Sequence, residues 1–169
     1  KECARYLKSP RVEHMKAARR VLGYVKQTTT KKLVYSGILK GNMILTGWSD
    51  ADLGGEKETG KSTSGRLIFL GSDLISWNSQ TQSHVTNSTC AAEYVSLADL
   101  VKDLEYLKQL IAVFLDVKEL IVDVHCDNLA AVTIANNVAS QDRTRYVDLC
   151  SKMALDYARS SGWRMTHVK

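Results

Sequence analysis

Three acidic residues sit where a carboxylate would be held by the fold as well as solvated. Asp50 closes the apolar run at residues 42–55, NMILTGWSDADLGG, with Asp52 two positions on and two glycines behind it. Met43, Ile44 and Leu45 read there as the body of a buried strand. Asp127 follows the most strand-like run of the second half, residues 120–126 (LIVDVHC), and Glu93 lies near the start of a long apolar periodicity over residues 90–114. A strand that buries its body and ends in carboxylates holds oxygen ligands rigidly at the mouth of a fold, where a hard divalent cation could bind. A plainer reading stands beside this one. Asp is a common turn former at a hairpin end, and a Glu in the first turn of a helix is stabilised by the helix dipole alone. Spacing does not show whether Glu93 points at the acidic strand ends.

The elements that must position these residues follow from periodicity. Residues 43–50, 66–71 (RLIFLG) and 74–78 (LISWN) are strand-like and closely spaced, so they form hairpins, and residues 33–35 are a further short β-prone stretch. Residues 54–64 (GGEKETGKSTS) make a long polar loop, too hydrophilic to be buried. Ala92, Val95, Leu97, Ala98, Val101, Leu104, Leu107, Leu110 and Ile111 give an amphipathic helix with Ser88 or Thr89 as its cap. A strand that returns to the same sheet after such a helix runs parallel to its partner through a right-handed crossover. The expected fold is therefore α/β: a mixed sheet, built of an antiparallel three-strand meander plus parallel strands, with flanking helices. If the strands ending in Asp50 and Asp127 are parallel neighbours, the two acids converge at one rim, which the start of the Glu93 helix can reach.

The remaining segments frame this unit. A short helix at residues 130–135, a polar loop at 136–142, a helix at 146–159 stopped by Ser160-Ser161-Gly162 and a last strand at 163–168 complete the C-terminal half. At the other end, Pro10 after a Ser9 cap opens a basic helix. Val12, Met15, Ala18, Val21, Leu22 and Val25 recur along one side of it, and Lys16, Arg19, Arg20 and Lys26 lie on others. A polar linker follows at residues 27–32, so residues 1–30 are assigned to a preceding module.

Composition bounds the rest. With 169 residues, 44% of them hydrophobic and 24% charged, the chain has the makings of one globular domain with a real core. Its net charge of +5 suits a polyanionic partner but is also common in proteins that touch no nucleic acid. The four cysteines show no CxxC or zinc-like spacing, and there is no membrane-length apolar run or signal peptide, which points to an intracellular protein with reduced thiols. Arg143 and Arg145 are candidates for phosphate contact, with solvated arginines as the equal alternative.

The motifs SDADLGG (49–55), KSTSG (61–65), ISWNS (75–79), STCAAEY (88–94), CDN (126–128) and RTRYVD (143–148), in this order, resemble the ribonuclease H domain of copia-type LTR retrotransposon polyproteins. ARYLKSP (4–10) and the basic helix after it resemble the tail of the reverse transcriptase that precedes that domain, so the resemblance covers nearly the whole chain. It implies an RNase H-like fold at 31–169 behind a reverse transcriptase tail at 1–30, and hydrolysis of the RNA strand of RNA–DNA hybrids. Asp50, Glu93 and Asp127 match the family's first three catalytic, metal-holding carboxylates. The implied cofactor is a pair of magnesium ions, with manganese as a substitute. Arg143, Arg145, Asn128 and Ser88 are the implied substrate contacts. The implied partners are the hybrid and the reverse transcriptase module, with no membrane, in a cytoplasmic particle or the nucleus.

The chain also departs from the family pattern. Ala91 stands where the family has another acid, Leu53 where it has tryptophan, Val138 where it has proline and Tyr146 where it has histidine. The family's fourth acidic residue falls just beyond Lys169, so the expected domain is cut short of it, and Asp148 is no match for it. The alternative left open is a non-catalytic remnant that binds nucleic acid or a partner through Arg143, Arg145 and the basic helix.

Overall fold

The computed structural model describes residues 2–37, 43–115, 120–137 and 149–168. The chain divides into two compact units, Lys1–Val34 and Tyr35–Lys169. The first holds a short helix α1 (Glu2–Arg5) and a longer one, α2 (Val12–Gln27). The expected start of α2 at Pro10 is corrected to Val12. Arg11 is extended (φ −104°, ψ 170°) and is itself the N-cap, its N–H donating to His14 Nδ1 at 3.0 Å. Within this unit Val12, Met15, Val21, Leu22 and Val25 are exposed and no residue of the helix is buried.

The second unit is built on a five-stranded sheet in the order β3-β2-β1-β4-β5. Its strands are β1 (Ile44–Asp52), β2 (Thr63–Leu70), β3 (Asp73–Thr81), β4 (Ile121–Cys126) and β5 (Arg164–His167). The first three form the antiparallel meander, while β4 runs parallel to β1 and to β5, which gives the mixed sheet expected from the sequence. Residues 33–35 are not a strand. They are exposed and unladdered, and the chain just after them is instead tied to the β2–β3 turn by the N–H groups of Ser36 and Gly37, which donate to the Asp73 carboxylate at 3.0 and 3.4 Å.

Among the described residues, three helices complete the unit: α3 (Thr89–Leu115), α4 (Leu129–Asn136) and α5 (Leu149–Ser160). The start of the helix expected at residue 146 lies outside the described residues, as do Val138, Tyr146 and Asp148. Strand alternation sends Leu45, Ile68, Val122, Val124 and Met165 to one face, where they meet Leu97, Leu100, Val101 and Leu104 of α3 in a single core with Leu155 of α5. Burying such side chains contributes on the order of 1.5–3 kcal/mol each. Arg66 also points to this face. It is buried, and its guanidinium pairs with Asp99 and Asp103 of α3 at 3.2 and 2.9 Å, which ties β2 to the helix. On the opposite face, Trp77, Leu67 and Trp48 are register partners across three strands, and all are exposed.

The polar loop after β1 is less exposed than its composition suggests. Ser62 is fully buried, its hydroxyl 2.6 Å from that of Thr86 and accepting the Gly54 N–H at 3.3 Å, so hydrogen bonding lets a hydrophilic sequence enter the interior. Gln82 acts in the same way, its amide donating to Ser64 Oγ and to the carbonyl of Ala92 in α3. Among the described residues no helix is long and apolar enough to cross a membrane.

Gly47 sets how closely α3 approaches the sheet. A Cβ there would lie 2.8 Å from a methyl of Leu104 and 3.0 Å from those of Leu100, fully buried side chains that would have to shift within the core. Gly47→Ala should therefore lower the unfolding free energy by about 1–3 kcal/mol, the usual cost of overpacking a filled core. Urea denaturation checks this, and an unchanged midpoint would mean that α3 does not rest on β1 as described.

Candidate metal centre

The pairing of β1 with β4 ends at Ser49–Cys126, so the next residue of each strand, Asp50 and Asp127, leaves the ladder at the same end of the sheet. Parallel neighbours therefore bring the two acids to one rim. The N-terminal end of α3 reaches that rim because Ser88 ends the preceding loop there. Its hydroxyl accepts the Ala91 N–H at 3.1 Å, and its carbonyl accepts that of Ala92 at 3.0 Å. With the helix starting at Thr89, its first turn carries no acid, which corrects the expectation that Glu93 sits there. Dipole stabilisation is then not what holds this carboxylate.

Two side chains one turn apart on α3 grip the peptide at Asp50. Glu93 Oε1 accepts the N–H of Ala51 at 3.0 Å, and Ser96 Oγ donates to the carbonyl of Asp50 at 2.9 Å. The other oxygen of Glu93 accepts from the thiol of Cys126 at 3.7 Å. Glu93, Cys126 and Asp127 each offer a ligand atom within 4.8 Å of the others. Asp50 stands outside that group of three, although its charge is felt at Glu93. The turn bearing Asp127 is braced as well. The Nε2 of His167 lies 3.1 Å from the Asp127 carbonyl and donates to it, and the Val168 N–H donates to the carbonyl of Cys126.

The electrostatics follow from burial. Glu93 is only 5% exposed, and its pKa is pushed up to about 7. Desolvation is the main cause and the charges of Asp127 and Asp50 add to it, against the lowering effect of the Ala51 N–H and the Cys126 thiol. Burial likewise pushes Cys126 up to about 11, so its sulfur keeps a proton at neutral pH. The donors on offer are then chiefly carboxylate oxygens, which suits a hard divalent cation.

Asp50, Glu93 and Asp127 thus share one rim. Asn128 and Ser88 flank it as helix caps, with Asn128 Oδ1 accepting the Ala131 N–H at 3.0 Å. Arg143 and Arg145 lie outside the described residues. Sequence reasoning missed Ser96 and Cys126 as parts of the site, whereas His167 could be read from the sequence as a ligand or base, though a lone His is more often neither; in the structure it braces the turn at Asp127. Of the two missed, Ser96 alone carried a usable signal, its i+3 spacing from Glu93 placing both on one helix face.

Glu93 gives a pH dependence whose sign can be worked out. Unfolded, it titrates near its ordinary 4.5, whereas folded it holds its proton to about 7. Between these values the folded state binds more protons, so this contribution is full below 4.5 and is lost as pH rises to 7. In metal-free buffer, Glu93→Gln should gain stability over the parent by roughly 3 kcal/mol on going from pH 4.5 to above 7. Denaturant titrations of both proteins across that range check it, and a pH-independent difference would contradict it.

No protein-family model matches the chain. Over 147 residues, 86% of its length, it is 33% identical to the retrovirus-related Pol polyprotein from transposon TNT 1-94 of Nicotiana tabacum. Over a 172-residue alignment covering 98% of the chain, it is 28% identical to the retrovirus-related Pol polyprotein from transposon RE1 of Arabidopsis thaliana. It spans 11% of each of these relatives. Among solved structures, LC11-RNase H1, isolated from compost by a metagenomic approach, superposes with a TM-score of 0.50 at 15% identity, covering 76% of this chain and 85% of that one. Such a likeness speaks for the fold alone, and it agrees with the sheet order and helix placement above. The chain is thus homologous, along most of its length, to a segment of the retrovirus-related Pol polyproteins of transposons, and it has an RNase H-like fold.

Proposed function

We propose that this chain carries the RNase H-type endonuclease of a copia-type retrotransposon Pol polyprotein, hydrolysing the RNA strand of RNA–DNA hybrids with Asp50, Glu93 and Asp127 as its catalytic carboxylates. The observation that carries this reading is the buried Glu93 carboxylate, which lies within 4.8 Å of the Asp127 carboxylate at that rim and whose proton affinity is raised first by burial and then by the charges of Asp127 and Asp50. A fold gains nothing in stability from gathering like charges around a desolvated acid, and a cation bound among them would offset the cost.

Magnesium fits the oxygen donors of Asp50, Glu93 and Asp127, with manganese as a substitute. When bound, such ions activate water and stabilise charge on the phosphate during an in-line displacement. The chain's own part is positioning. Ala51 N–H and Ser96 fix Glu93 against the Asp50 peptide, and His167 fixes the turn at Asp127. Asn128 and Ser88 use acceptor oxygens as caps, so their donor hydrogens remain to offer a phosphate or a 2′-hydroxyl. Arg143 and Arg145 add phosphate contacts in this reading. Residues 1–30 are the tail of the reverse transcriptase module and 31–169 the RNase H-like domain, working where the polyprotein does, in a cytoplasmic particle or the nucleus. Alignment of the chain with Pol polyproteins along nearly its whole length supports that assignment.

Incubation with a hybrid labelled on each strand tests the proposal. The RNA strand alone should be cut, magnesium should be required, and Asp127→Asn should slow cutting on the order of 100-fold or more, because several kcal/mol of charge stabilisation are removed. Equal cutting by the parent and Asp127→Asn would overturn the metal-site reading. Hybrid bound by the parent but left uncut would favour the non-catalytic binding remnant.

A further inference from the structure

We propose that Cys126 is a positioning residue, whose thiol fixes the Glu93 carboxylate in the orientation that faces Asp127 and the Asp50 rim. The inference rests on the reading of Glu93 as a metal-holding carboxylate and adds to it a residue that carries no charge.

Glu93 reaches the rim on a side chain with three rotatable bonds, so a helix backbone alone does not define where its two oxygens lie. Among the described residues each oxygen has one anchor: the Ala51 N–H on Oε1 at 3.0 Å and the Cys126 thiol on Oε2 at 3.7 Å. The two anchors come from β1, which carries Asp50, and β4, which leads into Asp127, so the carboxylate is referenced to both other acids at once. The sulfur is itself held. It accepts the Asn128 N–H at 3.5 Å, and the side chain of Asn128 caps α4 through the Ala131 N–H at 3.0 Å. Cys126 is 1% exposed and is the last paired residue of β4, opposite Ser49 in β1 and His167 in β5. A continuous path of hydrogen bonds therefore runs from Glu93 through Cys126 to the turn that presents Asp127.

A buried cysteine is more often a small apolar filler. The two roles separate through the donor hydrogen. Cys126→Ala nearly keeps the size and removes the donor, whereas Cys126→Ser keeps a donor on a shorter bond, whose hydroxyl reaches Oε2 through a small turn of the Glu93 side chain. As a filler, Cys126 would give two variants that lose stability and bind metal alike. As a positioning residue, it makes the alanine variant lose metal affinity and lets serine restore it.

The test is calorimetric titration of the metal-free chain with manganese, without substrate, on the parent, Cys126→Ala, Cys126→Ser and Asp127→Asn, with thermal unfolding of each as the control for folding. Cys126→Ala should bind manganese about tenfold more weakly, the usual result of removing a group that orients a ligand, and Cys126→Ser should return to within about threefold of the parent. Equal affinity of Cys126→Ala and the parent, with Asp127→Asn weakened, would overturn the role of Cys126 and leave the metal site standing. Equal weakening by alanine and serine would likewise overturn it in favour of packing. Parent and Asp127→Asn binding manganese alike would overturn the metal site itself and the role of Cys126 with it.

Discussion

The N–H of Ala51 donates to Glu93 Oε1 where β1 passes the end of its pairing with β4. A strand that loses a neighbour there must find another partner for its polar backbone groups or leave them to water. Here the partner is a carboxylate from the helix that crosses beneath. That contact turns a generic packing arrangement into a site, because it draws a charged group into a place where it is 5% exposed and beside Asp127. The desolvation that follows raises the proton affinity of Glu93, and everything chemical about the rim descends from it.

For the contact to form, α3 has to lie close to β1 and in a fixed rotation. Gly47 permits the closeness by presenting no side chain to Leu100 and Leu104. Rotation is set by polar contacts spaced along the helix: Ser96 on the Asp50 carbonyl, then Asp99 and Asp103 on the guanidinium of Arg66. Burial pushes the Asp103 carboxyl up from its ordinary range, with Arg66 acting against that rise. Apolar packing between α3 and the sheet supplies most of the binding, but it tolerates small rotations that these directional contacts do not.

Much of this was legible in the sequence. The apolar runs that end at Asp50 and Asp127, and the 3.6-residue periodicity between them, led to a parallel crossover, which brings the two acids together once their strands are neighbours. What escaped was set by partners distant in sequence. Residues 33–35 have strand composition but no ladder to join, and Ser62 sits in a hydrophilic run yet is buried because Thr86 and Gly54 satisfy it. The start of α2 moved to Val12 because the extended backbone of Arg11 outweighed the usual Ser-Pro opening. Cys126 looked like one more scattered thiol, and only the register of β4 against β1 turned it towards Glu93.

The central claim is that the rim of Asp50, Glu93 and Asp127 is a binding site for divalent cations. The most direct measurement is an anomalous-difference map from crystals of the chain grown with manganese. The account requires a manganese peak within coordination distance of carboxylate oxygens of Glu93 and Asp127, on the side facing Asp50. Manganese bound elsewhere while that rim holds only water, or no peak at all at saturating metal, would contradict it.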